Sequence, residues 1–402
     1  MEGRAVSNIV EDELSRPSSI FKDESKLSID YVPEHLPHRE SELKQLALIF
    51  KGVLERPGNS QKVIITGNIG TGKTALAKSF GSQIVAIANR RGINIHYIHI
   101  NCRRERTSFT ILNKIVKTFN PNIPRRGFST EELLQIMKEN LEEKDANVIL
   151  TLDELDFLLR REGEELLYSL VRLFDEQLNA VQRLSLIGIM RSEDLFRSLD
   201  LSIISSLQKN IIRLREYTAD QLETILSERV KEAFHVGTIT DEEIKFIADI
   251  AAKQGDARYA LEILWRAGKI ADAQGITRVL PEHIREAKSE IYPVIRKDVL
   301  RDLPFQHKAL LLAISRTLTK ERAYVTTSET EKVYKIVCEE YNIRPRRHTQ
   351  FWGFLKELEK QGIIATEISG NGMKGKTTLI SLPDIPTSIL EQEILNLLEG
   401  IR

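Results

Sequence analysis

The run Gly67-Asn68-Ile69-Gly70-Thr71-Gly72-Lys73-Thr74 constrains this chain more than any other feature. It follows a strand-forming stretch, Val63-Ile64-Ile65-Thr66, and opens a helix-forming one, Ala75–Phe80. Glycines at this spacing let backbone N–H groups turn inward on phosphate oxygens, and the helix N-terminus behind them adds a favourable field. In such a loop Lys73 reaches the β- and γ-phosphates of ATP, and the Thr74 hydroxyl holds Mg²⁺. A strand–loop–helix unit of this kind predicts an α/β domain built on a parallel sheet.

The pattern between Lys62 and roughly Ile212 agrees. Short β-rich runs at Lys62–Thr66, Ile93–Asn101, Val148–Asp153, Leu184–Met190 and Ile211–Arg213 alternate with helix-length segments, which places helices on both faces of the sheet. The third run ends in Leu152-Asp153-Glu154. Asp153 then sits at the carboxyl end of a buried strand, where Mg²⁺ bound to ATP is expected, and Glu154 is placed to orient or deprotonate water. His96 and His99, three apart in a strand, point to opposite faces and form no metal pair.

A helix is expected from near His38, with Leu43, Leu46, Ala47 and Phe50 on one buried face. Residues 216–295 read as wholly helical, with Trp265 and Phe234 in the core. Beyond them come helices at Phe305–Leu318 and Ser328–Tyr341, then a third with Thr349 as N-cap, ended by Gln361-Gly362. Two β-rich runs, Ile363–Ile368 and Thr377–Leu382, flank a turn-rich tip, Gly370–Lys376. Three helices and a two-stranded wing describe a winged-helix module. The expected division is a flexible lead-in at 1–19, a nucleotide-binding domain at 20–215, a helical lid at 216–298 and the winged helix at 299–402.

At 402 residues the chain is long enough for two or three cores. Its 58 Lys and Arg balance 58 Asp and Glu, so any nucleic-acid binding must come from local basic surfaces. Such a surface exists. Pro304–Pro386 carries 13 basic against 9 acidic residues, with Arg344, Arg346, Arg347 and His348 at the start of the third helix and Lys374 and Lys376 at the wing tip. In a winged helix these places face the major groove and the neighbouring backbone. Two distant cysteines and no membrane-length apolar run fit a reducing, cytoplasmic setting without membrane contact, to which the expected DNA binding adds association with the nucleoid.

Taken together, the phosphate loop, the Leu152–Asp156 strand end and the C-terminal winged helix resemble an archaeal replication initiator of the origin-recognition/cell-division-control type, over nearly the whole chain. The resemblance implies a P-loop AAA+ domain using ATP/ADP and Mg²⁺, and double-stranded origin DNA as ligand. It also implies a replicative helicase and paralogous initiators as partners. Tyr31–Glu40 is similar to that family's N-terminal motif, which sets Val32, Pro33, His38 and Arg39 beside the adenine. By the same resemblance Asn68, Ile69, Gly70, Thr71, Gly72 and Ala75 line the phosphates, Tyr217 and Arg229 contact the nucleotide, and Arg258 is the lid arginine facing the γ-phosphate. The segment from Arg103 and Arg104 to Arg125 and Arg126 corresponds to an insertion that contacts DNA in the family.

Two departures stand out. The family places Ser-Asn after the strand ending at Ile189, where this chain has Met190-Arg191, and the arginine that acts as a finger on a neighbouring subunit is here Ser202. An arginine finger is worth roughly a thousandfold or more in hydrolysis rate. The resemblance therefore implies a divergent paralogue with slow hydrolysis, functioning as an ATP-switched origin binder or, alternatively, as a DNA-binding regulator that keeps nucleotide as a structural ligand.

Overall fold

The computed structural model describes residues 17–55, 58–124, 126–174, 181–192, 194–207, 210–291, 300–301, 303–368, 377–383 and 385–399. The chain forms two compact units, one of residues 32–221 with 254–257, the other of the segment up to Tyr31 with Leu222–Lys253 and the chain from Arg258 onward.

The first unit is built on a parallel sheet of β1 (Lys62–Thr66), β2 (Ile95–Asn101), β3 (Asn147–Asp153), β4 (Leu184–Met190) and β5 (Ile211–Arg213), in the order β2-β3-β4-β1-β5. Both faces are covered, so every position of β3 and β4 is buried and most are apolar. Alternation divides them between two cores. Val148, Leu150 and Leu152 join one apolar cluster, and Ile149 joins the other with Val63, Ile65, Ile187 and Ile212. The helix expected from near His38 begins at Glu40, because His38 takes a left-handed φ of 62°.

In the second unit, helices Asp241–Ala252 and Pro281–Ile291 accompany most of Ala219–Ala233 and Ala257–Ala273. The N-terminal segment is pinned to them: Phe21 bridges Phe234, and Ser19 N–H donates to Asp272 (2.9 Å). Phe234 is core as expected. Trp265 is not; it is half-buried, donates its indole N–H to Glu24 (2.6 Å), and lines a cavity of about 520 Å³ with Leu27 and Ile29.

The winged helix consists of Phe305–Leu318, Thr327–Glu340 and the recognition helix His348–Lys360, with an antiparallel sheet ordered β6-β8-β7 (Val325–Thr326, Thr378–Ser381, Ala365–Ile368). Leu310, Ile314, Tyr334, Phe351, Leu355 and Ile380 meet in its core, with Trp352 packed at the edge. Two elements exceed the sequence reading: the two-residue strand β6 and a last helix, Thr387–Glu399. One cap is corrected. The recognition helix starts at His348 behind an extended Arg347 (φ −68°, ψ 158°), so Thr349 lies within the first turn and its own N–H is among the uncapped donors. The wing tip, with Lys374 and Lys376, lies outside the described residues, as does Arg125.

Buried charge joins the helical segment to the winged helix. Arg285, fully buried, donates to Leu382 O (3.1 Å), to Arg322 O (2.7 Å) and to the Glu282 carboxylate (3.1 Å). Glu282 in turn accepts from the N–H and hydroxyl groups of Thr387 and Ser388, capping the last helix from outside it.

Candidate nucleotide site and nucleic-acid interface

The phosphate loop joins β1 to the helix Lys73–Arg90. Gly70 and Gly72 take φ of 73° and 87°, and space forbids a side chain at either. A Cβ on Gly70 would stand 1.7 Å from Asp256 Oδ1, and one on Gly72 would stand 2.8 Å from the Tyr217 hydroxyl. The Lys73 ammonium donates to the carbonyls of Gly67 (2.6 Å) and Asn68 (2.5 Å). Neutral carbonyls are weaker partners for an ammonium than phosphate oxygens, so these bonds are open to exchange. Ile69 at the tip is exposed, while Thr71 is buried and Ala75 half-buried in the first helical turn.

Across the sheet, at the end of β3, the Thr74 hydroxyl donates to Asp153 Oδ2 at 2.8 Å. His99 Nε2 lies 3.3 Å from the same oxygen, and the Glu154 N–H donates to Asp153 Oδ1 at 2.9 Å. Burial alone would raise the Asp153 pKa, but the hydrogen bonds from His99 and Thr74 outweigh it and hold the carboxyl below its ordinary range. An ionised carboxylate beside a hydroxyl is a hard oxygen donor set, which fits Mg²⁺. Glu154 has φ 53°, a left-handed conformation that is strained for a residue with a Cβ. Its carboxylate lies 3.8 Å from the Arg103 guanidinium.

Strand pairing sets that last contact. Asn101 is opposite Asp153 in register, and its side-chain oxygen accepts the N–H groups of Arg103 (3.0 Å) and Arg104 (3.1 Å), which folds the chain into a turn beside Glu154. Arg103, read from sequence only as a DNA contact, therefore also borders the nucleotide site. His99 was not read as a site residue at all. The signal was the β2–β3 pairing, since a residue just before Asn101 on β2 must end near Asp153.

On the other side of the loop, Arg39 is 4% exposed and donates to Thr71 O (3.1 Å) and Arg215 O (2.7 Å), its guanidinium 4.0 Å from the centre of the Tyr217 ring. Burial raises the Tyr217 hydroxyl pKa, opposed by the charge of Arg39. His38 Nε2 is buried with no hydrogen-bond partner among the described residues, and Val32 and Pro33 are half-buried nearby in sequence. An orphaned ring nitrogen and two glycine positions closed to any Cβ fit a nucleotide.

Arg229 and Arg258 belong to the other compact unit. Arg229 is 7% exposed, stacked 4.7 Å over the Tyr31 ring and bonded to Lys26 O (3.4 Å). Arg258 is exposed in the first turn of Ala257–Ala273; the preceding Ala257 donates its N–H to Gly70 O (3.2 Å). Arg191 is exposed just past β4, and Ser202 N–H bonds Asp200 (2.7 Å) at the start of the helix Leu201–Leu207.

Of the expected DNA contacts, Arg104 and Arg126 are exposed in the first unit. Arg344, Arg346, Arg347 and Thr349 are all exposed at the head of the recognition helix, and the three arginines form no salt bridge among the described residues. Three exposed arginines with no salt-bridge partner among the described residues form a local positive field in a chain of no net charge.

Three family models match the chain: an AAA domain at residues 58–196, a Cdc6 AAA+ ATPase-type lid domain at 223–289, and a CDC6 C-terminal winged helix domain at 298–392. ORC1-type DNA replication protein 2 of Sulfurisphaera tokodaii is 37% identical over 403 residues, spanning 98% of this chain and 95% of that protein. The crystal structure of Cdc6p from Pyrobaculum aerophilum superposes with a TM-score of 0.83 at 32% identity, over 95% of this chain and 99% of that one. The Aeropyrum pernix ORC1 protein in complex with DNA gives 0.64 at 31% identity, over 96% and 98%. A parallel sheet carrying a complete phosphate loop, a helical lid and a winged helix, matched over nearly full length, place this chain in the ORC1/Cdc6 family of AAA+ DNA replication proteins.

Proposed function

We propose that this protein is an ATP-switched initiator of chromosomal replication. It binds double-stranded origin DNA through the recognition helix and wing and through the insertion that carries Arg103, Arg104, Arg125 and Arg126. The observation that carries the reading is the pairing of a phosphate loop, its Thr74 hydroxyl bonded to Asp153, with three exposed arginines on a winged helix that form no salt bridge among the described residues. The names of the relatives supply the replication role, and the DNA complex of the Aeropyrum pernix protein supports the ligand. The reading takes as its working division the domain limits expected from sequence, with a replicative helicase and paralogous initiators as the partners.

In this reading Lys73 exchanges the Gly67 and Asn68 carbonyls for phosphate oxygens. Thr74 and Asp153 hold Mg²⁺, which when bound neutralises charge on the phosphates. Glu154 orients water, Arg39 and Tyr217 frame the nucleotide from one side, and Arg229 and Arg258 contact it from the lid. Hydrolysis is slow, because Ser202 offers no positive charge to a neighbouring subunit and Arg191 cannot accept a hydrogen bond from water. A turnover faster than about one per second that Glu154→Gln abolishes would contradict this part of the reading.

The test is binding of the full-length chain to origin and random duplexes across a salt series, with ATP, ADP or neither, beside Arg346→Ala and Lys73→Ala. Origin-selective binding that shifts with nucleotide, with a shallower salt dependence in Arg346→Ala, is the expected result. Selective binding indifferent to nucleotide and to Lys73→Ala would favour a second reading, a DNA-binding regulator that keeps nucleotide as a structural ligand; Met190-Arg191 and Ser202 are the residues that favour it. Binding no better than to random DNA overturns both.

A further inference from the structure

Gly353 sits in the middle of the recognition helix His348–Lys360, on its exposed face. Nothing among the described residues asks for a glycine there. Its φ is not in the left-handed range, and a Cβ built on it would meet no atom within 4 Å. By contrast Gly81, Gly188 and Gly268, also within regular elements, would drive a Cβ to 2.4–2.7 Å from a neighbouring side chain. A glycine inside a helix lowers the folding equilibrium roughly four- to fivefold relative to alanine. At Gly353 the fold gains nothing in return.

Its neighbours on the same face are arranged to leave it bare. One turn on, the Lys356 ammonium is drawn to Glu359 (2.7 Å) and lies over the Trp352 ring, and Glu357 is tied to His307 (2.6 Å). One turn back, Thr349 and Gln350 are exposed, and their side chains make no hydrogen bond among the described residues. The result is a patch of naked helix backbone, edged by two exposed polar side chains that are free to bond a ligand and adjoining the arginines of the helix head.

Resting on the reading of the winged helix as a DNA-binding module, we infer that Gly353 is where the recognition helix backbone makes its closest approach to the duplex, with Gln350 beside it contacting a base edge. The major groove is about 12 Å wide, and a helix with its side chains is about 10–12 Å across. So close a fit leaves no slack, and a position without a side chain lets the helix seat deeper and brings Gln350 within reach of an adenine edge. Gly353 and Gln350 are thus specificity determinants, whereas the arginines position the helix on phosphates.

The experiment compares the full-length wild type with Gly353→Ala, Gly353→Leu and Arg346→Ala. Each is measured on a duplex selected in vitro by the wild-type chain and on a scrambled duplex of the same composition, alongside denaturation midpoints. Gly353→Ala is expected to raise the denaturation midpoint. It is also expected to weaken binding to the selected duplex about tenfold, leave the scrambled duplex within twofold, and be outdone by Gly353→Leu. Wild-type affinity of Gly353→Ala for the selected duplex would overturn the inference, as would a lowered midpoint, which would show that the fold itself needs the glycine. If Arg346→Ala still weakens both duplexes in that case, the DNA-binding reading stands and only the role of Gly353 falls.

Discussion

Asp153 is held by three donors that come from three different places: a hydroxyl from the phosphate-loop helix, an imidazole from β2 and the backbone of its own neighbour. Of these, His99 has the least to do with forming the fold, since it lies near a strand end and is partly exposed. A histidine that orients a metal-binding carboxylate without touching the metal typically changes metal affinity by about 10- to 100-fold when it is removed. His99→Ala is therefore expected to weaken Mg²⁺-dependent nucleotide binding about tenfold. Binding measured in EDTA should be unaffected. Calorimetric titration of ADP with and without Mg²⁺ checks this; an equal loss in both conditions would mean that His99 serves the site only by packing.

At the scale of elements, the local signals in the sequence were sufficient wherever an element carries its own start and stop. Thr326 and Glu329 form a reciprocal cap on the helix Thr327–Glu340, with Arg322 beside them. Backbone and side-chain hydrogen bonds from Thr326, then Arg322, hold the Glu329 pKa down to about 2. A carboxylate lowered in the folded state stabilises above its ordinary value of 4.5 and loses that contribution as pH falls towards 2. Urea denaturation should find Glu329→Gln less stable than wild type at pH 7, with the gap closing between about pH 4.5 and 2. A gap independent of pH would count against the cap. The phosphate loop, the five strands and the acidic strand end were equally legible, because glycine spacing and apolar runs are local properties. The last helix was not, because its cap is Glu282, about a hundred residues earlier in the chain. Nor was the start of the recognition helix, where Thr349 looks like a cap in sequence yet the extended Arg347 sets the boundary. His99 and the Arg103–Glu154 contact depend on strand register and a turn around Asn101, which no residue pattern announces.

At the scale of the whole molecule, the helical segment and the winged helix share one set of buried charges. Arg285 has no solvent exposure, and its partners lie on both sides of that junction. Removing one member of a buried, fully hydrogen-bonded ion pair typically costs about 3–5 kcal/mol, because the other charge is left without a partner. Arg285→Ala should therefore destabilise the chain by about that amount. Replacing Arg285 and Glu282 together with Met and Gln should cost less than the sum of the single changes. Chemical denaturation of the two single variants and the double variant checks this; strict additivity would show that the two residues act independently.

The position of Glu282 also changes what counts as a module here. A fragment cut where the sequence pattern changes, near residue 299, would keep every helix and strand of the winged helix. It would nonetheless leave Thr387 and Ser388 at the head of the last helix without their carboxylate, and the carbonyls of Arg322 and Leu382 without their guanidinium. The helix Pro281–Ile291 thus supplies a guanidinium and a carboxylate that the neighbouring module uses, and a fragment that is to keep them starts no later than Pro281.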